Sequence, residues 1–177
     1  MSTLPDPADI GSLLVFVMPA WISNATPAAV VRHLPRTHPI DGGRCFSNGR
    51  RVLGDGKTVE GFVLGVAAGT LAGLALSSIG LHDVASSFLL ALGAMVGDAA
   101  GSFVKRRLGY ERGAHAWGLD ELPFLYFALL LYFARAGSPS LRDLQAVAVL
   151  SAITFVAHNV TNYAHRLLLE KLGGRGS

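Results

Sequence analysis

Between Gly97 and Phe124 the sequence reads GDAAGSFVKRRLGYERGAHAWGLDELPF, an apolar stretch carrying one acid, then a basic run, then a second acid before apolar sequence resumes. If Val84 to Val104 forms a helix, Asp98, Ser102 and Lys105 lie at i, i+4 and i+7. A carboxylate, a hydroxyl and an ammonium then share one stripe about two turns long, crowned by Arg106 and Arg107. An ionisable residue inside an apolar span costs roughly 2.5 to 3.5 kcal/mol on insertion scales, so it is retained where a bundle interior or a function needs it. The plain alternative is that Asp98 only neutralises Lys105 or another buried cation. The second acid, Asp120, favours a site. Two carboxylates beside a basic loop suit Mg²⁺, which is usually held by one or two carboxylates together with substrate phosphates.

A second basic stretch adds phosphate chemistry. GDGKT, from Gly54 to Thr58, invites comparison with a nucleotide-binding P-loop. The full pattern needs glycine five residues before Gly56, where Arg51 stands, and no apolar strand precedes it. What remains is a glycine-rich loop with Arg50, Arg51 and Lys57 as cations ahead of a helix whose positive dipole end faces them. Such a loop suits a polyphosphate; it also reads as a topology determinant that greets lipid headgroups. Phosphoryl or nucleotidyl transfer needs little more than such positioning and charge neutralisation. His158, late in the chain, reads as a hydrogen-bonded interior histidine ahead of a base or a phosphate ligand. No Ser/His/Asp triad can be argued around Ser102.

The elements that must position these groups are membrane helices. The 177 residues are 51% hydrophobic and 15% charged, well below the ~25% charge usual in soluble domains. Mean hydropathy is +0.43. The pattern predicts one all-α integral membrane domain over residues 1–177, with five spans near 10–31, 61–79, 84–104, 122–136 and 144–169. Pro19, Asn24 and Pro27 interrupt the first and predict a kink. No cleavable leader is recognised ahead of it. Glycines at 61, 65, 69 and 73 and again at 93, 97 and 101 form small-residue ridges that let helices approach closely. These ridges are expected to face partner helices, with each other as one option and a homodimer as another. The tail after Leu172 is expected to be disordered. The single cysteine, Cys45, excludes an internal disulfide and a thiolate metal cluster.

Charge placement sets the expected orientation. Of the fifteen Lys and Arg residues, six fall from Arg32 to Lys57, four from Lys105 to Arg112 and three at Arg166, Lys171 and Arg175, with only Arg135 and Arg142 on the other side. The positive-inside rule then puts the amino terminus outside and both long loops in the cytosol of a multi-pass cell-membrane protein. Charge beside spans sets topology and predicts no nucleic-acid partner.

These segments resemble the archaeal CDP-archaeol synthases and, more distantly, the phosphatidate cytidylyltransferases. The resemblance covers most of the chain and is carried by Pro39 to Gly43 with Asn48 to Arg51, by LGDGKTVEGFVLG from Leu53, by GDAAGSFVKRRLG from Gly97, by LDELPF from Leu119 and by HNVTNY near the end. It implies a membrane enzyme that moves CMP from CTP to an isoprenoid glycerol-ether lipid phosphate, with Mg²⁺ and release of pyrophosphate. It further implies Asp98 and Asp120 as metal ligands, Lys57 beside them as a catalytic cation, and Asn48, Arg50, Arg51, Gly54, Asp55, Gly56, Thr58, Ser102, Lys105 and Arg106 as substrate contacts. Glu121 departs from the pattern, standing where the distant relatives have Arg and close ones often Gln, and the Pro-Gly-His-Gly-Gly run of the bacterial enzymes is missing before Asp120. Outside the resemblance, a lipid kinase and an anionic-solute transporter remain the rival readings; five spans without an inverted repeat weaken the transporter.

Overall fold

The computed structural model describes residues 3–111 and 114–173, with side-chain surroundings given as far as Ala164. Arg112 and the expected disordered tail from residue 174 on, with Arg175, lie outside that description, as do the side chains of His165, Arg166 and Lys171.

Among the described residues the chain is helical: α1 is Ile10–Val30, α2 is Val59–Ser78, α3 is Val84–Arg107, α4 is Pro123–Ala136 and α5 is Leu141–Gly173. A single 3₁₀ turn, Val31–His33, extends α1, and the long loop after it carries only two isolated bridges, Pro39 with Thr58 and Cys45 with Arg51. α1, α2, α3 and α5 are each long and apolar enough to cross a membrane. α4, expected as a short fourth span, has 14 residues, or about 21 Å of helix, against the ~30 Å hydrocarbon core. Pro123 at its first turn and Gly137 after it, with a φ of 102°, set both limits.

Local signals explain the other starts. Asp9, Thr58 and Asp83 each cap a helix by accepting from the backbone N–H three residues on. α1 runs through Pro19 and Pro27 as one helix, because the carbonyls freed in a buried helix can be met by neighbours.

The two glycine ridges determine the packing, though they do not meet each other. A Cβ built at Gly69 would overlap the Pro19 carbonyl oxygen of α1 and sit 2.7 Å from Ala91 Cβ of α3. Gly65 and Gly73 likewise meet Met95 and Ser87 of α3. The α3 ridge turns the opposite way: a Cβ at Gly93 would lie 2.6 Å from Ala128 Cα, and one at Gly97 would be 2.7 Å from Phe124 Cα, both in α4. Thus α2 lodges between α1 and α3 while α4 presses on the far side of α3. Both ridges are engaged within one chain. α5 packs chiefly on α1 and more loosely than the rest. Leu13, Leu90, Leu125 and Leu150, one from each of α1, α3, α4 and α5, are fully buried in the shared core.

This arrangement gathers the end of α1, the start of α2, the end of α3 and the start of α4 at one end of the bundle, with the loops 34–58 and 108–122 above them.

Candidate functional site

At that end a cleft of about 280 Å³ opens between the loop before α2, the last turns of α3 and the turn before α4. Its walls are Arg51, Gly54, Asp55, Gly56 and Lys57 from the first, Asp98, Ser102, Lys105 and Arg106 from the second, and Leu119 and Asp120 from the third. Most of the sequence-predicted site residues therefore converge, including the Asp98–Ser102–Lys105 stripe and both acids.

The charges are cross-connected rather than local. Lys57 reaches across from its loop to pair with Asp98 Oδ2. Lys105, seven residues beyond Asp98 on the same helix, pairs with Asp120 Oδ1 at 2.6 Å. Asp98 is thus paired, as the plain alternative allows, but with Lys57 of the glycine-rich loop rather than with Lys105. Asp120 Oδ2 accepts the Ala116 N–H at 2.9 Å, which fixes the turn that presents it. All four charged groups remain partly exposed to the cleft, between 12% and 26%. Beside them Arg106 donates through Nη1 to the Tyr110 carbonyl at 2.6 Å, while its Nε is buried with no hydrogen-bond partner among the described residues. That orphan donor lies over Gly54, where a Cβ would come within 3.9 Å of it.

Asn48, Arg50 and Thr58 sit elsewhere. Thr58 is 4% exposed and its hydroxyl oxygen caps α2 through the Gly61 N–H at 3.1 Å. Asn48 Oδ1 accepts from Arg50 N at 3.2 Å and from Arg107 Nη1 at 3.3 Å, so it ties its own turn to α3. The Arg50 guanidinium lies against Gly109, whose φ of 92° leaves room for it.

Two residues outside the candidate site set, Asp41 and Arg107, build the frame. Asp41, with its side chain 1% exposed, pairs with Arg51 at 2.6 Å and accepts the N–H groups of Gly43, Leu53 and Gly54 at 3.0 to 3.1 Å. The Arg51 guanidinium, and then those N–H groups, hold the Asp41 carboxyl well below the usual carboxylate range, and Arg51 is raised in turn. Because Arg51 also pairs with Asp55, it acts as a strut across the loop that carries Gly54, Gly56 and Lys57. Arg107 closes the other side: its Nη2 donates to the Arg51 carbonyl at 2.6 Å, and its guanidinium stacks 4.4 Å from the Phe46 ring centroid. An acid directly ahead of Gly42 and Gly43, in the Pro39 to Gly43 segment that carries the resemblance, was the hint of Asp41 in the sequence.

Mg²⁺ fits this donor set by its chemistry. Among the described residues no three Asp, Glu, His or Cys side chains group as a metal cage, but two hard carboxylates facing a cleft that also receives phosphates is how Mg²⁺ is commonly held. Glu121 is not part of the set. It is fully buried, accepts the Gly118 N–H at 2.6 Å and lies 3.0 Å from His115 Nε2, so it braces the turn behind Asp120. His158 does not reach the cleft either. With Asn24, Phe124, Thr154 and Thr161 it lines a separate, more apolar groove of about 370 Å³ between α1, the start of α4 and α5.

Comparison with known proteins bears on this geometry. The family model for CarS-like CDP-archaeol synthase matches residues 10–172. A CDP-archaeol synthase of Pyrobaculum calidifontis is 44% identical over 170 residues, covering 92% of this chain and 97% of that protein. One of Methanopyrus kandleri is 41% identical over 163 residues, covering 90% and 91%. A solved structure described as an intramembrane enzyme for archaeal membrane lipid biosynthesis superposes with a TM-score of 0.68 at 42% identity, covering 85% of this chain and 92% of that one.

Proposed function

We propose that this chain, which belongs to the CDP-archaeol synthase family, carries out its reaction in the cleft bounded by Lys57, Asp98, Lys105 and Asp120. It is a membrane cytidylyltransferase of archaeal lipid synthesis. In our reading CTP enters the cleft from water, and an isoprenoid glycerol-ether lipid phosphate reaches it from the bilayer. The groove between α1, α4 and α5 is a path of the right polarity for that lipid, being apolar along Trp21, Ala25 and Ala28 and polar at Asn24 and His158.

A phosphate monoester has its second pKa near 6, so the lipid phosphate is largely a dianion at neutral pH and needs no general base. A lipid phosphate oxygen forms the new bond to the α-phosphorus of CTP, the bond from that phosphorus to the β-bridging oxygen breaks, and pyrophosphate leaves with its electron pair. Lys57, Lys105 and Arg106 orient the phosphates and offset the charge gathering on the leaving group. Gly54 and Gly56 allow the backbone close to them. Asp98 and Asp120 would hold Mg²⁺, which supplies Lewis-acid charge neutralisation to the transferred group. The observation that carries the proposal is the pair of carboxylates, each matched to a lysine, on one cleft.

Pyrophosphate release from the purified protein in detergent tests it, with CTP, ATP or GTP and Mg²⁺ against an unsaturated diether glycerol phosphate or phosphatidic acid. Release only with CTP and the diether lipid is expected. Release without a lipid phosphate, or equally with every nucleotide, contradicts the proposal.

We further propose that the cleft faces the cytosol, supported by the one-sided placement of Lys and Arg. Cys45 is exposed on the same loop system and is the chain's lone cysteine. An impermeant maleimide should label it in inside-out vesicles and leave it unlabelled in intact cells; the reverse pattern would invert the orientation.

A further inference from the structure

Each proposed metal ligand already holds a cation supplied by the chain. Lys57 is on Asp98 and Lys105 is on Asp120, from different elements and by the same kind of contact, one ammonium on one carboxylate oxygen. The other cations of the cleft behave differently. Arg51 is fixed by Asp41 and Asp55 together, and Arg106 is tied to the Tyr110 carbonyl. Only the lysines, flexible stems ending in point charges, sit on the two acids, and a lysine can exchange partners more readily than a forked guanidinium can.

We infer that Lys57 and Lys105 are placeholders for the divalent cation: in the nucleotide-free protein each occupies a carboxylate that the metal takes, and the nucleotide's phosphates draw them off. The inference rests on the metal reading of Asp98 and Asp120 given above. Its physical basis is charge balance. With both acids neutralised, the cleft presents a bare dication with two ammonium groups and no net attraction, whereas a polyphosphate brings enough negative charge to rehouse both lysines and the metal at once. The paired groups are between 12% and 26% exposed, open to the cleft yet partly desolvated, so each ammonium needs a new anionic partner before it leaves. Metal and nucleotide therefore bind with strong mutual dependence, and by linkage each raises the other's affinity by the same factor. Paired acids also lower the cost of keeping carboxylates at the end of an apolar bundle while the site is idle.

Binding of Mn²⁺ to the purified protein in detergent, followed by electron paramagnetic resonance without nucleotide, tests this independently of turnover. Wild-type protein should bind the bare metal weakly and gain affinity when CTP is added. Lys57→Gln and, separately, Lys105→Gln should bind bare Mn²⁺ more tightly by on the order of tenfold, a usual size for such coupling. Lys57→Arg should stay weak. Arg106→Gln, which removes the same formal charge from the same cleft without freeing a carboxylate, should change the affinity far less. Equal gains in Lys57→Gln and Arg106→Gln would reduce the effect to the general field of the cleft and overturn the inference, as would no gain in either lysine variant. Should Asp98→Asn bind Mn²⁺ with CTP as well as wild type does, the metal reading itself fails, a result separable from the lysine comparison.

Discussion

The two ends of the bundle each bury acids, and they satisfy them in opposite ways. At the end away from the cleft, Asp143 is fully buried and its Oδ1 accepts the N–H groups of Thr3 at 2.7 Å and Leu4 at 2.6 Å, while its Oδ2 accepts the N–H and hydroxyl of Ser140 at 2.8 and 2.5 Å. Tyr132 donates its hydroxyl to the Thr3 carbonyl at 2.8 Å, and Leu4 enters the core beneath. Every partner there is fixed backbone or a short side chain, so the carboxylate is a clasp that pins the amino-terminal segment to the start of α5. At the cleft end, Asp98 and Asp120 are partly exposed, and the cation on each is the tip of a flexible lysine. A carboxylate with both oxygens met by backbone N–H groups and short side chains cannot be released without unfolding something; an oxygen met by a lysine can change partner, as Asp98 Oδ2 and Asp120 Oδ1 can, while Asp120 Oδ2 keeps the Ala116 N–H. Asp41 belongs with the first kind despite its place beside the cleft.

The largest effect that would sharpen this contrast is on turnover. Asp98→Asn and Asp120→Asn should each lower kcat by roughly a hundredfold or more, the scale of losing one preorganised electrostatic element, while the melting temperature in detergent holds. Near-normal turnover in either would merge the two ends into one structural class. Next comes the clasp: Asp143→Ala leaves the Thr3, Leu4 and Ser140 N–H groups without their acceptor and should destabilise the protein by roughly 3 kcal/mol at about 1 to 3 per unsatisfied group. The folded fraction should keep its kcat, as seen by melting and turnover measured side by side. Smaller still, Gly69→Leu forces a side chain onto the Pro19 carbonyl and Ala91 and should cost about 2 kcal/mol through overpacking, read as an earlier loss of assembly in detergent; unchanged stability would count against the ridge. The smallest concerns pH. Asp41 is held low by Arg51, so its stabilising contribution is complete above the unfolded carboxylate value near 4 and declines as pH falls through its lower folded value. Melting temperatures from pH 7 to 3 should therefore hold to about pH 4 and then drop in wild type, with a shallower drop in Asp41→Asn.

Sequence periodicity made the helices and the glycine ridges legible, because spacing of three to four residues is written along one helix. It could not say which helix a ridge faces, and the two ridges turned out to serve α1 with α3 on one side and α4 on the other. The site acids were legible as charges out of place in apolar sequence, but their partners were not, since Lys57 meets Asp98 across 41 residues. Thr58 was drawn into the substrate set by the GDGKT motif; a Thr just ahead of an apolar periodic run is equally the mark of a helix cap, and that is how its hydroxyl is used. Asp41 and Arg107 both lie in stretches singled out in the sequence, but the frame they make was illegible because loop contacts have no period. α4 was legible as a short segment ending at Ala136, and Pro123 and Gly137 give it the 14 residues it has.

The central claim is that Asp98 and Asp120 meet the metal–nucleotide complex, and it is tested most directly by Mn²⁺ binding in the presence of CTP to wild-type, Asp98→Asn, Asp120→Asn and Asp143→Ala proteins. The account predicts strong nucleotide-dependent binding in wild type and in the clasp variant, with loss in both cleft variants. Wild-type binding in Asp98→Asn and Asp120→Asn alike would contradict it.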